Sequence, residues 1–207
     1  MKIKLNKEIF NIIKGALLKS LINDCWKMFP LKAIQHLVQF VDYSDLSDRF
    51  MADNEEMHDF IKWEKVNRLQ LIRIIARNIK ILEKVDIKSK EYKIRELIPL
   101  LKMHSGAIFF FNIDLDTIVK EDAFLLLMLG HKIYLDKINV KNYDFNFREV
   151  FDVLESYRFN EEALVKFDLT TLKSRQVAEI MTYNIDVVNI FGNQINMLTA
   201  LDWLNVL

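Results

Sequence analysis

Six cations between residues 68 and 88 form the clearest chemical pattern in this 207-residue sequence. These residues, which we call the basic stripe, are Arg68, Arg73, Arg77, Lys80, Lys84 and Lys88. Four of them, from Arg73 to Lys84, follow one another at intervals of 4, 3 and 4, so they would share one face of a helix. A second, apolar face has similar spacing and consists of Ile72, Ile75, Ile79 and Leu82. The pattern predicts one amphipathic basic helix over residues 66–85.

A row of cations on a helix has three interpretations. It can contact successive phosphates of RNA or DNA, and Trp63 and Tyr92 lie close enough in sequence to stack on bases. It can bind an acidic surface on a protein or a ribonucleoprotein. It can also be a solvated face whose long stems cover apolar surface. Because 29 basic residues balance 29 acidic ones, direct RNA or DNA binding through residues 66–88 ranks below a protein or ribonucleoprotein partner.

The charges are distributed unevenly along the chain. Residues 33–61 carry one basic residue against seven acidic ones, whereas residues 62–102 carry twelve basic residues against five acidic ones. Such asymmetry can mark a surface that faces a partner. An alternative is that the acidic segment 42–59 folds onto the basic stripe and neutralises it.

No residue pattern for catalysis or metal binding stands out. The four histidines are His36, His58, His104 and His131, and none has a histidine or cysteine partner at helical spacing. Cys25, the single cysteine, has no basic neighbour before Lys27 that would activate its thiol. Phosphate loops, nucleophile elbows and kinase signatures are absent from the sequence. We therefore predict no enzyme activity, no catalytic residue, no metal and no cofactor.

A short phrase recurs five times: an apolar residue, Asp or Asn, another apolar residue, two further residues and usually an apolar one. Its Asp or Asn positions are Asp42, Asp86, Asp114, Asn139 and Asp168. The intervals are 44, 28, 25 and 29 residues, and an insertion in the acidic run 53–59 is expected to explain the long first one. A short Asp or Asn side chain can accept a hydrogen bond from backbone amides just ahead and shape a turn.

The segments between the phrases have helical periodicity, with two short helices in each unit. Examples are the helices expected over 147–154 and 174–181, and the break expected near 157–160. A pair of about 25 residues cannot bury its apolar face alone, whereas stacked pairs can. We therefore predict an all-α fold in which helical pairs stack as a small solenoid, with an irregular helical bundle as the alternative. One domain, 1–207, would comprise an N-terminal cap and acidic insertion (1–60), repeats (61–191) and a C-terminal capping helix (192–207). The residues expected to bury the N-terminal cap are Ile9, Ile12, Ile13, Ala16, Leu17 and Leu21.

The phrase also resembles a known kind of repeat. Residues 160–172 read Asn-Glu-Glu-Ala-Leu-Val-Lys-Phe-Asp-Leu-Thr-Thr-Leu and run into a helical segment that ends at Phe191. This pattern resembles short two-helix repeats of uncharacterised bacterial and phage proteins, over residues 85–191. The Gly and Trp that often follow the Leu in those repeats are absent here. The resemblance implies helical pairs and brings no catalytic residues.

Composition limits the remaining function classes. Four glycines and two prolines are too few for a β-sandwich, and the glycines do not cluster as a phosphate-binding loop requires. The lone cysteine, the absence of a signal peptide and the lack of a long apolar run predict a cytoplasmic protein without a membrane partner. The resulting prediction is a non-enzymatic helical-repeat binding protein of undetermined oligomeric state. One hypothesis is that it is a phage or mobile-element inhibitor of a bacterial defence complex.

Overall fold

The computed structural model describes residues 7–87 and 91–184. Over these two ranges the regular secondary structure is entirely helical, and no strand is present. The α-helices are α1 Lys7–Cys25, α2 Leu31–Val38, α3 Asp48–Asp53, α4 Arg68–Arg77, α5 Ile94–Met103, α6 Lys120–Leu127, α7 Lys132–Lys137, α8 Phe147–Ser156, α9 Glu161–Leu164 and α10 Ser174–Met181. The 3-10 helices are Trp26–Met28, Tyr43–Asp45, Glu55–Met57, Trp63–Lys65, Ile79–Glu83, Ser105–Phe110, Val140–Asn142 and Leu169–Thr171. The predicted all-α class is confirmed.

The chain divides into two compact units. The N-terminal unit comprises residues 1–111 and the C-terminal unit residues 112–207. The subdivision expected from the sequence, with boundaries at 60/61 and 191/192, stays a prediction. The predicted C-terminal capping helix, 192–207, lies outside the described residues.

The first helix, α1, contacts the N-terminal unit through the end that leads into α2. Ile22 is fully buried, and Asn23 both donates to the carbonyl of Asp45 (2.9 Å) and accepts from the amide of Ser47 (2.6 Å). The predicted apolar face of this cap is wrong in part, because Ala16 is exposed and the Leu17 side chain is 60% exposed. Helical spacing alone does not reveal which turns of a helix have a neighbour.

The core of the N-terminal unit lies between α3, α4 and α5. Two residues of the predicted apolar face, Ile72 and Ile75, are buried there on α4. Phe50 of α3 is fully buried and packs edge-on against Trp26, with ring centroids 5.9 Å apart. These side chains account for the apolar periodicity that the sequence shows.

The predicted continuous basic helix over 66–85 is wrong. Helix α4 ends at Arg77, and Asn78 has an extended backbone conformation (φ −140°, ψ 96°) before the 3-10 helix Ile79–Glu83 begins. The Asn78 side chain accepts a hydrogen bond from the amide of Lys80 (3.2 Å) and donates one to the carbonyl of Ala52 (2.9 Å). A short amide side chain competes for backbone groups in this way, which favours ends of helices over their interiors.

We expect Asn78→Ala to lower the free energy of unfolding by about 1–3 kcal/mol, because both hydrogen bonds are lost and the carbonyl of Ala52 loses its partner. Asn78→Asp is the matched control. It keeps the oxygen that accepts from Lys80 but places a second carboxylate oxygen against the carbonyl of Ala52, so a stability below that of Asn78→Ala would mark the contact with Ala52. Urea denaturation measures both variants. An Asn78→Ala protein as stable as wild type would contradict this role for the side chain.

Three of the five recurring phrases form turns of the predicted kind, at Asp42, Asp114 and Asn139. A side-chain oxygen of Asp42 accepts from the amide of Ser44 (2.9 Å), and Asp114 and Asn139 make the same bond two residues ahead (3.1 and 3.3 Å). A further turn of this shape, the 3-10 helix Trp63–Lys65, has Lys62 in the Asp or Asn position. This turn divides the long first interval of 44 residues, and the predicted insertion in 53–59 stays a prediction.

In the C-terminal unit, α8 begins with a reciprocal cap between Asn146 and Glu149, in which each side chain accepts from the other residue's amide (3.0 and 2.8 Å). Gly130 precedes α7 with a positive φ of 68°. The predicted break near 157–160 is present, and Arg158 and Phe159 there also have positive φ values of 56° and 49°. Helical pairs α6–α7 and α8–α9 thus follow one another, each joined by a left-handed turn.

Candidate functional site

The structure pairs three residues of the basic stripe with acidic side chains from the preceding segment 48–59. Arg73 Nε lies 2.7 Å from Asp48 Oδ2. Lys80 Nζ lies 3.1 Å from Glu55 Oε1, and Lys84 Nζ lies 2.8 Å from Asp59 Oδ1. Each pair joins residues 25 positions apart, and we call these three ion pairs the 25-residue ladder. The acidic segment therefore folds onto the stripe, one of the alternatives left open by the sequence.

The remaining members of the stripe have different surroundings. Arg68 Nη2 lies 2.6 Å from Glu96 Oε1, and Nη1 donates to the carbonyl of Glu91 (3.1 Å). Arg77 is exposed and forms no ion pair within the described part of the chain. Lys88 lies outside the described residues. Four of the six predicted binding cations thus have carboxylate partners within the N-terminal unit.

The electrostatics of the ladder follow from these contacts. The hydrogen bond from Lys80 lowers the pKa of Glu55, and the one from Lys84 lowers the pKa of Asp59. The same contact with Asp59 raises the pKa of Lys84. The charged forms therefore favour each other in the folded chain, although exposed pairs of this kind each contribute little to stability.

We expect the contribution of the ladder to depend on pH. A carboxylate whose pKa is lowered by folding stabilises the native state above its unfolded pKa, and this stabilisation is lost as pH falls through the folded value. The advantage of wild type over a Lys80→Gln, Lys84→Gln variant should therefore shrink below the ordinary carboxyl pKa values, 4.5 for Glu55 and 3.8 for Asp59. It should also decline above the ordinary lysine pKa of 10.5, because that of Lys84 is raised.

Urea denaturation at a series of pH values measures this difference in stability. Arg77→Gln is the control, because Arg77 is exposed and has no ion pair among the described residues. Its effect should be small and nearly constant with pH. A difference between wild type and the double variant that stays the same from neutral to acid pH would contradict the contribution of the ladder.

Ion pairs between successive helices also occur in the C-terminal unit. Lys120, the first residue of α6, pairs with Glu149, the third residue of α8 (2.8 Å). In the N-terminal unit Arg68 and Glu96 occupy the same two positions of α4 and α5. Lys132 pairs with Glu162 in a similar way. Ion pairs between residues at corresponding positions thus link one helical pair to the next. These charged side chains contact each other within the protein and do not form a row of unpaired cations.

The aromatic residues proposed to stack on bases are packed within the protein. Trp63 is 7% exposed, and its indole Nε1 donates to the carbonyl of His58 (3.0 Å). Tyr92 is partly buried and packs edge-on against Phe111, with ring centroids 5.2 Å apart. Burial raises the pKa of the Tyr92 phenol. Neither ring presents an open face beside the stripe as a base-stacking platform requires.

The histidines have structural contacts. The ring of His58 is buried and its Nε2 lies 3.0 Å from the carbonyl of Met51. His104 ends α5, and its Nε2 lies 3.2 Å from the carbonyl of Ala76. Among the residues that the structure describes, no group of three or more histidine, cysteine or carboxylate side chains could hold a metal ion. None of the described helices has the length and apolar character that a membrane span requires.

Two open grooves separate successive turns of the N-terminal unit. Groove A, with a volume of about 580 Å³, is lined by Val38, Val41, Tyr43, Phe60, Lys62 and Lys65, among others. Groove B, of about 540 Å³, is lined by Ile61, Trp63, Glu64, Lys84, Val85 and Asp86, among others. Both grooves combine apolar side chains with charged side chains of both signs.

A corresponding groove exists in the C-terminal unit. Groove C, of about 240 Å³, is lined on one side by Val140, Lys141 and Tyr143 and on the other by Phe167, Asp168 and Leu169. These are again residues of two successive phrases. None of the three grooves was predicted from the sequence, although the regular return of the phrase indicates where consecutive turns lie side by side.

Comparison with protein-family models, curated proteins and solved structures finds no match for this chain. The resemblance to short bacterial and phage repeats stays a prediction.

Proposed function

We propose that this chain is a non-enzymatic helical-repeat protein that binds a protein partner, alone or within a ribonucleoprotein, through the grooves between its turns. In this proposal the helical pairs of each unit stack as a short solenoid. Such stacks leave one row of turns and grooves accessible along their length, which is how repeat proteins present extended binding surfaces.

Contacts between residues about one repeat apart support the stacking. In the N-terminal unit, Gln70 donates to the carbonyl of Leu46, 24 residues earlier, and His104 contacts Ala76, 28 residues earlier. In the C-terminal unit, Tyr157 donates to the carbonyl of His131, 26 residues earlier. These separations of 24, 28 and 26 residues are close to the 25 to 29 residues between most phrases. Contacts of this kind within each unit support a stacked arrangement of neighbouring pairs.

The ladder is the observation that favours a protein partner over nucleic acid. Since Arg73, Lys80 and Lys84 already have carboxylate partners, binding phosphates would require breaking those ion pairs. The grooves contain acids as well as lysines, and acids repel phosphate. A peptide can match both signs of charge, and this makes protein the better ligand class.

Two measurements test the proposed function. In a gel-shift assay at low salt, single-stranded RNA and duplex DNA should show no binding to the purified chain, whereas a nucleic-acid binder is at its tightest under these conditions. Nuclease-treated extract from cells that contain the protein should yield a stoichiometric protein partner. A strong gel shift that weakens steeply with added salt, together with no protein partner, would contradict the proposal.

The hypothesis of a defence-complex inhibitor concerns the identity of that partner. An inhibitor that occupies a surface needs no catalytic group, in keeping with the sequence-based prediction of no enzyme activity. Co-purification tests it directly, because a subunit of a defence complex should appear in stoichiometric amount. Recovery of a metabolic enzyme instead would contradict it.

A further inference from the structure

Grooves A and B lie on the two sides of one short segment, residues 60–65. Phe60, Lys62 and Lys65 line groove A, whereas Ile61, Trp63 and Glu64 line groove B. Successive residues of this segment therefore alternate between the two grooves for most of its length. A single extended ligand that crosses the segment would reach both grooves.

Groove A is suited to a carboxylate beside an apolar group. Lys62 and Lys65 are exposed, and neither forms an ion pair within the described part of the chain. The acid across the groove, Asp42, already accepts hydrogen bonds from the amide and the hydroxyl of Ser44 (2.9 and 2.8 Å). These bonds lower the pKa of Asp42 and hold its carboxylate in the turn, and the charge of Lys65 lowers this pKa further. The Phe60 ring, 52% exposed, provides uncovered apolar surface at the same place.

Groove B is suited to a cation. Its lining includes the exposed Glu64, and Lys84 in the same lining already pairs with Asp59. Trp63 is 7% exposed, and its hydrogen bond to the carbonyl of His58 holds the ring in the floor of the groove. A guanidinium or ammonium group can pair there with the exposed carboxylate of Glu64.

We propose that grooves A and B together bind one extended segment of a partner protein, which places an Asp or Glu side chain in groove A and an Arg or Lys side chain in groove B. This inference rests on the proposed function and specifies the chemistry of the partner. In an extended segment, side chains of alternate residues can enter neighbouring pockets while the main chain crosses between them. RNA fits less well, because the acids of groove B repel its phosphates.

A displayed library of random linear peptides, selected on the immobilised full-length chain, tests this specificity. The enriched peptides should share an acidic and a basic residue a short distance apart. Fluorescence anisotropy then gives the affinity of one such peptide for wild type and for two variants. Lys62→Glu with Lys65→Glu should weaken binding about tenfold or more, because groove A then repels the carboxylate.

Arg77→Glu is the matched control, since it reverses an exposed cation outside both grooves and should change the affinity less than about twofold. A peptide whose acidic residue is replaced by lysine should recover affinity for the Lys62→Glu, Lys65→Glu variant. This rescue distinguishes altered recognition from misfolding, which circular dichroism also monitors.

Three outcomes would overturn the inference: no enriched peptide, equal binding to wild type and the groove variant, or no rescue by the charge-reversed peptide. If peptides bind but only Arg77→Glu weakens them, protein binding stands and the grooves are not the site. If RNA binds at low salt and peptides do not, the proposed function fails as well.

Discussion

Replacing Gly130 by alanine should destabilise the C-terminal unit by about 2–4 kcal/mol. Gly130 has a φ of +68°, a conformation that costs an alanine about 1–2 kcal/mol. A Cβ built on Gly130 lies 2.7 Å from the carbonyl oxygen of Ser156, a backbone atom that cannot rotate away. The strain and the clash act together, because α8 would have to move to make room.

Gly106→Ala and Gly15→Ala are matched controls. No atom lies within 4 Å of a Cβ at either position, and neither glycine has a positive φ. Both variants should be as stable as wild type or slightly more stable, since alanine favours helix. Urea denaturation followed by circular dichroism gives the stabilities, and hydrogen exchange should locate the loss from Gly130→Ala in α6 and α8. Equal stability of all three variants would contradict the close approach of Gly130 to α8.

Replacing Phe50 by alanine should destabilise the N-terminal unit by about 3–5 kcal/mol. The ring is fully buried on α3 and packs against Trp26, so its removal leaves a cavity in the core. In a stack of repeats each helical pair depends on its neighbours. The loss of protection from hydrogen exchange should therefore be greatest in α3 and in the adjacent α4. Tryptophan fluorescence should also change, because Trp26 loses its partner.

Phe60→Ala is the control for this change, because its ring is 52% exposed and leaves no cavity. Its free energy of unfolding should differ little from that of wild type. Hydrogen exchange measured peptide by peptide distinguishes a stack from a bundle with one common core. Uniform loss of protection across the N-terminal unit after Phe50→Ala would favour the irregular bundle over stacked pairs.

Much of the helical architecture could be predicted from the sequence, because apolar periodicity and capping residues act locally. The expected helix over 174–181 matches α10, and the expected segment over 147–154 lies within α8. The break at Asn78 was missed because the apolar spacing continues across it. Asn160 stands at a comparable junction, before α9, and the sequence did predict a break near it. An asparagine at such a junction was therefore a usable sign in the sequence of a break between helices.

The ion pairs of the 25-residue ladder could also have been predicted from the sequence. Asp48, Glu55 and Asp59 each precede a cation of the stripe by 25 residues, which is the interval between Asp114 and Asn139. Side chains one repeat apart lie beside each other in stacked units, so this equality predicts the ladder. The grooves could not be predicted in the same way. They depend on the directions of side chains in short 3-10 turns, which periodicity does not determine.

The central claim is that the 25-residue ladder stabilises the fold and that the grooves between the turns bind the partner. The urea midpoint of an Arg73→Glu, Lys80→Glu, Lys84→Glu variant tests it most directly. We expect a lower midpoint than in wild type, because three ion pairs become repulsive contacts. Adding the lysine substitutions Asp48→Lys, Glu55→Lys and Asp59→Lys should restore most of the loss. An unchanged midpoint in the triple variant, accompanied by loss of partner or nucleic-acid binding, would contradict the claim.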